Sequence, residues 1–473
     1  MAIGGIADDI TRLIDEAQDS VGALFEPVIR LGVTGLSRAG KTVFITSLVA
    51  NLIRRGRMGQ LAAVAENRLE NAYLQPQPDD TVPRFEFERN LAALTGTEPH
   101  WPESTRAISQ LRLTLRVRPQ GWWRGLAGSR NLHLDIVDYP GEWLLDLPLM
   151  HKSYGEWSAE ALEAARNPAR ARLAEDWHRL TAQTDPAEPL DETRAAALAA
   201  GFRDYLAQGR AAGLSALAPG RFLMPGELEG SPALTFAPLP KPESARSGSL
   251  WRAFERRYEA YKRAVARPFF RDHFSRIDRQ VVLIDVLEAL HGGPRAVDDL
   301  RLAMADILAC FRTGSNGWLA PLLGNKVERI LFCATKADHL HHSQHDRLAA
   351  IAAALLDDAR QRAEFRGAQT DAMAIASLRA TVEQTITHEG APLGVVRGRL
   401  LETGREVALH PGDLPASTAE VLAPAREGRA HWLDGDYRVM HFAPPRLSGK
   451  SGEGLPHIRL DRALEFLIGD RLR

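Results

Sequence analysis

Residues 35–42 read GLSRAGKT and satisfy G-x-x-x-x-G-K-[ST] at every fixed position. This pattern constrains the fold because it works in one setting, between the end of an apolar strand and the start of a helix. The flanks supply that setting. Residues 28–34 (VIRLGVT) read as a short, mostly apolar strand stopped by Gly35, and residues 42–54 carry a helical pattern. Gly35 and Gly40 let the chain turn tightly enough for consecutive N–H groups to converge on phosphate oxygens. Lys41 is expected to reach the β- and γ-phosphates, Thr42 to give its hydroxyl to Mg²⁺, and the helix N-terminus to favour the anion. Ser37, Arg38, Ala39 and Val43 complete the expected nucleotide contacts. A second GKS, at 449–451, has Pro444 where the first glycine is needed and no strand before it, so it reads as a loop.

Periodicity places the phosphate loop in a larger α/β design. Residues 111–118 (LRLTLRVR) alternate, with Leu111, Leu113, Leu115 and Val117 on one face, as a half-buried edge strand does. A Gly/Trp turn at 119–130 leads into 132–138 (LHLDIVD), a more buried strand, so the two form an antiparallel pair. Strand signals return at 280–285, 329–334 and 372–376, separated by helices near 297–312 and 344–364. That alternation argues an α/β core with a mostly parallel sheet and one antiparallel edge strand.

The remaining segments read differently. Residues 56–105 are polar and broken by prolines 76, 78, 83, 99 and 102, an excursion with some helix rather than packed sheet. Residues 143–277 are rich in Ala, Arg and Leu at helical spacing, a helical insertion loosely joined through the Pro/Ser/Gly-rich stretch 236–249. Short strands with a turn at Thr403 and Gly404 fill 394–443, and 457–472 form an amphipathic helix. The expected plan is a core of 1–149 and 276–386, a helical insertion of 150–275, and a small β-rich appendage with a terminal helix at 387–473. A chain of 473 residues has room for these parts. Residues 9–22 read as a helix docked on the domain, since basic residues do not dominate its polar face as they would in a membrane anchor.

Two aspartates compete for the metal. Asp138 opens Asp138-Tyr139-Pro140-Gly141, a D-x-x-G after a buried strand, where the carboxylate would hold Mg²⁺ through water and the Gly141 N–H would touch a γ-phosphate. Asp285 also ends an apolar strand, but no glycine lies three positions beyond it. Asp138 is therefore preferred. The switch hydroxyl that completes Mg²⁺ coordination is expected just before the edge strand, at Thr105 with Ser104 as the alternative. Arg106 beside it would neutralise phosphate charge, and Trp101 is either a packing residue or an aromatic wall of the site.

The base is read further on. Residues 335–338 (TKAD) follow a strand directly; Asp338 would accept two hydrogen bonds from the N1–H and exocyclic amine of guanine, while the Lys336 stem packs along the base. Adenine offers no matching donors at that edge. Thr335 stands where an asparagine is more usual, and Ser377 and Leu378 end the next strand, where a backbone N–H would meet the guanine carbonyl. Phosphate loop, switch, D-x-x-G, TKxD and serine loop thus occur in order, each at a strand end, which is where open α/β sheets bind ligands.

The chain resembles the YcjX-like family of bacterial GTP-binding proteins, carried by GLSRAGKTVFITSL at 35–48, LDIVDYPGEWLLDLP at 134–148, TKADHL at 335–340, AIASLRAT at 374–381 and PHIRLDRALEFLIGDRL at 456–472. The resemblance implies a Ras-like P-loop GTPase core with a helical insertion and a C-terminal appendage, binding GTP or GDP with Mg²⁺. It also implies a role in stress response and allows a protein partner at the inner membrane. Ras-type enzymes place a glutamine after D-x-x-G to orient water; here that position is Glu142, which would repel a γ-phosphate unless compensated. Slow intrinsic hydrolysis is expected, with the missing charge supplied by Arg38, by Arg106 or by a partner's arginine. An ATPase or kinase, or a nucleotide-stabilised scaffold with little turnover, are the alternatives.

Bulk properties narrow the setting. Lys plus Arg number 59 against 60 Asp plus Glu, which leaves no electrostatic footprint for nucleic acid. Two cysteines, Cys310 and Cys333, build no disulfide framework and fit a reducing compartment. No apolar run approaches the roughly 18 residues a membrane span takes. A cytoplasmic protein is expected, with peripheral contact at the inner membrane allowed and the oligomeric state left open.

Overall fold

The computed structural model describes residues 26–36, 38–103, 107–120, 128–272, 274–309, 327–365, 367–429, 431–432, 440–447 and 453–473. The 9–22 helix, Ser37, Ser104, Thr105, Arg106, Cys310, most of the Gly/Trp turn and the second GKS lie outside the described residues.

Strand β1 (Val28–Gly35) buries Ile29, Leu31 and Val33 and sits in the middle of a seven-stranded sheet. The other strands are β2 (Leu69–Gln75), β3 (Ser109–Val117), β4 (Arg130–Asp138), β5 (Arg279–Ile284), β6 (Arg329–Ala334) and β7 (Gln369–Ala374), in the order β2-β3-β4-β1-β5-β6-β7. β4, β1, β5, β6 and β7 run parallel, and β3 runs antiparallel to both neighbours. This is the mostly parallel sheet expected of a Ras-like core. Leu111, Leu113, Leu115 and Val117 point into the core as their alternation predicts.

Residues 56–105 contribute more than an excursion, which corrects the reading of that stretch. β2 comes from within it and pairs outside β3, so β3 is not the outermost strand. Its sequence, LENAYLQ, buries Leu69 and Ala72 and leaves the other positions partly or fully exposed. A strand that ends a sheet tolerates such polar residues, and they discourage pairing with another chain.

β1 lies between β4 and β5, and the chain leaves it for helix α1 (Lys41–Arg54). α1 packs Phe44, Ile45, Leu48 and Leu52 against one face of the sheet. The opposite face carries Leu144, Leu145, Phe270, Ile307 and Leu348.

Between β4 and β5 the chain runs through helices, among them α2 (Tyr154–Arg166), α3 (Glu192–Ala211) and α4 (Leu250–Tyr261). α2 starts at a reciprocal capping box between Ser153 and Glu156, and α3 at Asp191, whose carboxylate accepts from the N–H groups of Thr193 and Arg194. These helices enclose an aromatic core of their own that includes Trp157, Trp177, Phe202, Phe236 and Tyr258. The stretch 236–249 is not a loose joint throughout. Phe236, Ala237 and Leu239 are buried in that core, and the Tyr154 hydroxyl donates to the Ala237 carbonyl at 2.7 Å. Ser158 holds Leu239 through both its N–H and its carbonyl, each at 2.6 Å. Exposure begins only after Leu239.

Strands β8 (Thr381–His388), β9 (Ala391–Arg399) and β10 (Glu406–Leu409) form a separate antiparallel sheet in the order β10-β9-β8. The last helix, α5 (Leu460–Ile468), returns to the main sheet and buries Leu460, Leu464, Leu467 and Ile468 beside α1. Arg279 of β5, 1% exposed, donates to the Leu467 carbonyl at 2.9 Å and to Asp470 at 3.0 Å. Among the described residues, no helix is long and apolar enough to cross a membrane.

Candidate nucleotide site

The C-terminal ends of β1, β6 and β7 open on one cavity of about 280 Å³. Arg38, Ala39, Gly40, Lys41, Thr42 and Val43 form its phosphate-loop side. Gly40 has φ 86° and caps α1 without a side-chain bond, and the helix N-terminus that follows favours an anion. The Lys41 ammonium, largely buried, lies across the loop and donates to the Gly35 carbonyl at 2.8 Å.

Gly35 and Gly141 explain each other. A Cβ on Gly141 would overlap the Gly35 carbonyl, so the D-x-x-G loop rests directly on the backbone of the phosphate loop. Asp138 ends β4 in register with Val33 and is buried. Gly35, Asp138 and Gly141 therefore stand behind the loop rather than among the residues that line the cavity. Thr42 and Asp138 together offer a hydroxyl and a carboxylate, the hard oxygen donors that suit Mg²⁺. Ser104, Thr105 and Arg106 fall outside the described residues, but Trp101, Pro102 and Glu103 immediately before them line the cavity.

The opposite wall is the expected base side. Thr335, Lys336, Asp338, Ser377 and Leu378 all line the cavity. The TKAD turn is held against β7, with the Ala337 N–H donating to the Ile375 carbonyl at 3.0 Å. Asp338 is 4% exposed; one carboxylate oxygen accepts from the Ala380 N–H at 2.7 Å, and the Thr381 hydroxyl donates to its carbonyl. Burial pushes the Asp338 carboxyl up to about 6. The neighbouring His339 is pushed down to about 3 by burial and is a neutral ring packed edge-on against Phe442, centroids 5.1 Å apart.

Asp285, the alternative metal aspartate of the sequence, has its carboxylate engaged by neighbouring groups. It caps the helix Val286–His291, accepting from the Glu288 N–H at 3.2 Å, and forms an ion pair with Lys336. Lys336, at φ 59°, thereby has its ammonium fixed beside the base wall.

Glu142 lines the cavity with its carboxylate almost fully buried, and its charge is met by Arg210 at 2.9 Å. Arg210 belongs to α3, and it too lines the cavity. Sequence reasoning named Arg38 and Arg106 as sources of compensating charge and missed Arg210. No local motif marks it, because only the packing of α3 against the D-x-x-G loop brings it there. Leu401, His441 and Phe442, from the chain after the main sheet, were missed for the same reason. Phe442 also accepts the Trp101 indole N–H at 2.8 Å, so Trp101 serves both packing and site wall.

Comparison with known proteins adds lineage to this geometry. The profile of the YcjX-like family matches residues 29–472. A curated relative from Escherichia coli (strain K12), named Ras-like GTPase YcjX, is 37% identical over 474 residues, covering 98% of this chain and 100% of the relative. The protein of the same name from Shewanella oneidensis is 32% identical over 493 residues, covering 99% and 100%.

Proposed function

This chain belongs to the YcjX-like family, and on that premise we propose that it is a P-loop GTPase: it binds GTP and GDP with Mg²⁺, hydrolyses GTP slowly and acts as a molecular switch. The observation that carries the reading is one cavity with Lys41 and Thr42 on one wall and buried Asp338 on the other. The relatives' printed name, Ras-like GTPase, agrees with it. The stress-linked output and an inner-membrane partner enter the reading from the family resemblance.

In this reading the N–H groups of the phosphate loop and the start of α1 cradle the phosphates, and Lys41 exchanges the Gly35 carbonyl for phosphate oxygens. Thr42, Asp138 and Thr105 would hold Mg²⁺, which when bound neutralises charge on the β- and γ-phosphates. Gly141 reports the γ-phosphate through its N–H, and its close packing on Gly35 ties any shift of that loop to the phosphate loop. Asp338 selects guanine over adenine, since only guanine presents two N–H donors to one carboxylate. Residues 150–275 form a helical subdomain that touches the switch through Glu142 and Asp146.

Titrations of GDP, GTP and ATP into the purified protein, followed by single-turnover phosphate release, test the proposal. Micromolar or tighter guanine nucleotide binding, weak ATP binding and measurable GTP cleavage are expected. Equal affinities for ATP and GTP would move the chain to the ATPase class. Tight GTP binding without phosphate release would leave the scaffold reading.

A further inference from the structure

The cavity holds a carboxylate and a guanidinium at the position where hydrolysis would take place. Glu142 follows the D-x-x-G directly, and an anionic side chain there opposes an incoming γ-phosphate. Arg210 cancels that charge at 2.9 Å, from a helix that lies far along the chain. Several contacts fix this juxtaposition. Asp146, fully buried at the end of the turn that begins at Gly141, accepts from the Gly220 N–H at 2.8 Å and from the Tyr261 hydroxyl at 2.6 Å. A Cβ on Gly220 would overlap the Glu142 carbonyl, so backbone meets backbone. The helical segment is thus clamped to the D-x-x-G loop at Asp146 and Glu142, and α3 places Arg210 in the same cavity as the phosphate loop.

We infer that Arg210 is a catalytic arginine supplied in cis by the helical segment. The inference rests on the GTPase reading above. A guanidinium presents five donors in a planar fork: Nη2 of Arg210 pairs with Glu142, and Nη1 donates to the Met224 sulfur at 3.3 Å, a weak acceptor that γ-phosphate oxygens would displace. Arg210 then stabilises the charge that builds on the γ-phosphoryl group, and Glu142, held by the same fork, orients the attacking water. The water oxygen bonds to the γ-phosphorus as the bond to the β–γ bridging oxygen breaks. Its electron pair leaves with GDP, and the water proton passes to a γ-phosphate oxygen, giving inorganic phosphate. Lys336 is committed to Asp285, which leaves Arg210 and Arg38 as the arginines lining the cavity among the described residues. Of these two, Arg210 is the one paired with Glu142 among the described residues. An arginine supplied in cis still gives slow turnover, on the order of 10⁻² s⁻¹.

The test uses the full chain and four readouts: GDP affinity, affinity for GDP with aluminium fluoride, single-turnover GTP cleavage, and rescue by free guanidine. Arg210→Ala is expected to lower the cleavage rate by roughly 10³-fold or more and to abolish the aluminium fluoride complex, with GDP affinity within about threefold of the parent. Arg210→Lys keeps a charge but not the fork, and should remain at least about tenfold slow. Guanidine should restore part of the rate to Arg210→Ala. Arg203→Ala, on the same helix and lining only the adjoining cleft, is the control with unchanged rate. Cleavage by Arg210→Ala within threefold of the parent overturns the inference, as does a parallel fall in GDP affinity and rate without rescue. A parent protein that binds no guanine nucleotide would instead overturn the GTPase reading on which it rests.

Discussion

Burial lifts the Asp338 carboxyl to about 6, and that value has a consequence at accessible pH. Guanine needs the ionised form, because a protonated carboxyl cannot accept both N–H groups. Apparent affinity scales with the fraction of competent protein, so at pH 5 GDP affinity should be about tenfold below its value at pH 7.5. Stability runs the other way. A carboxyl whose folded value is raised above its ordinary 3.8 favours folding below that ordinary value, and the contribution is lost as pH rises through about 6. Asp146 is raised to about 6 as well, by its own burial, so the two must be separated. Asp146→Asn should keep the acid loss of GDP affinity. A flat affinity profile from pH 5 to 7.5, measured by calorimetry, would contradict the role given to Asp338.

At the scale of single elements, the packing of 236–249 revises where the chain can be cut. Ordered, buried backbone resists proteases, and exposed polar stretches admit them. Within this segment trypsin should cut after exposed Arg246, while chymotrypsin should leave the bond after Phe236 intact, since that ring is wholly buried. Cleavage after Phe236 in the folded protein, read by mass spectrometry, would refute the packing described. The same segment shows what a composition-based reading loses: Pro238 and Pro240 look like linker residues, yet they flank Leu239, which Ser158 pins in place. β2 escaped for a related reason, since LENAYLQ at a sheet edge carries no clear alternation. The strands around the phosphate loop were legible because they are buried on both faces, and fully buried strands read as continuous apolar runs.

Across the whole molecule, the site is assembled from parts that sequence reading kept separate. The phosphate loop, TKAD and serine loop announce themselves through local motifs at strand ends. Arg210, Leu401, His441 and Phe442 reach the same cavity only through tertiary packing. The terminal helix makes the same point for the core: its amphipathic pattern was visible, but not that it seals the sheet beside α1. Asn51 of α1 and Leu455 exchange two hydrogen bonds, at 3.2 and 2.6 Å, and Leu464 is fully buried. Leu464→Ala should therefore cost about 2–5 kcal/mol, as deleting buried methyl groups in a core does. Urea unfolding followed by tryptophan fluorescence would check this, and a loss below about 0.5 kcal/mol would show that α5 is dispensable to the core.

Under the proposed function, Asp338 reads guanine in the cavity where Lys41 and Thr42 hold the phosphates. Asp338→Asn turns one acceptor into a donor, which suits xanthine, whose C2 carbonyl accepts that bond. The deciding measurement is competition binding of GTP, ATP and XTP to the parent and to Asp338→Asn at pH 7.5. One lost hydrogen bond to a charged group, worth about 1.5–3 kcal/mol, with a donor now facing the guanine amine, predicts at least a roughly tenfold loss of GTP affinity in the variant, with a gain for XTP. A variant that keeps full GTP affinity, or a parent that binds ATP as tightly as GTP, would contradict the account.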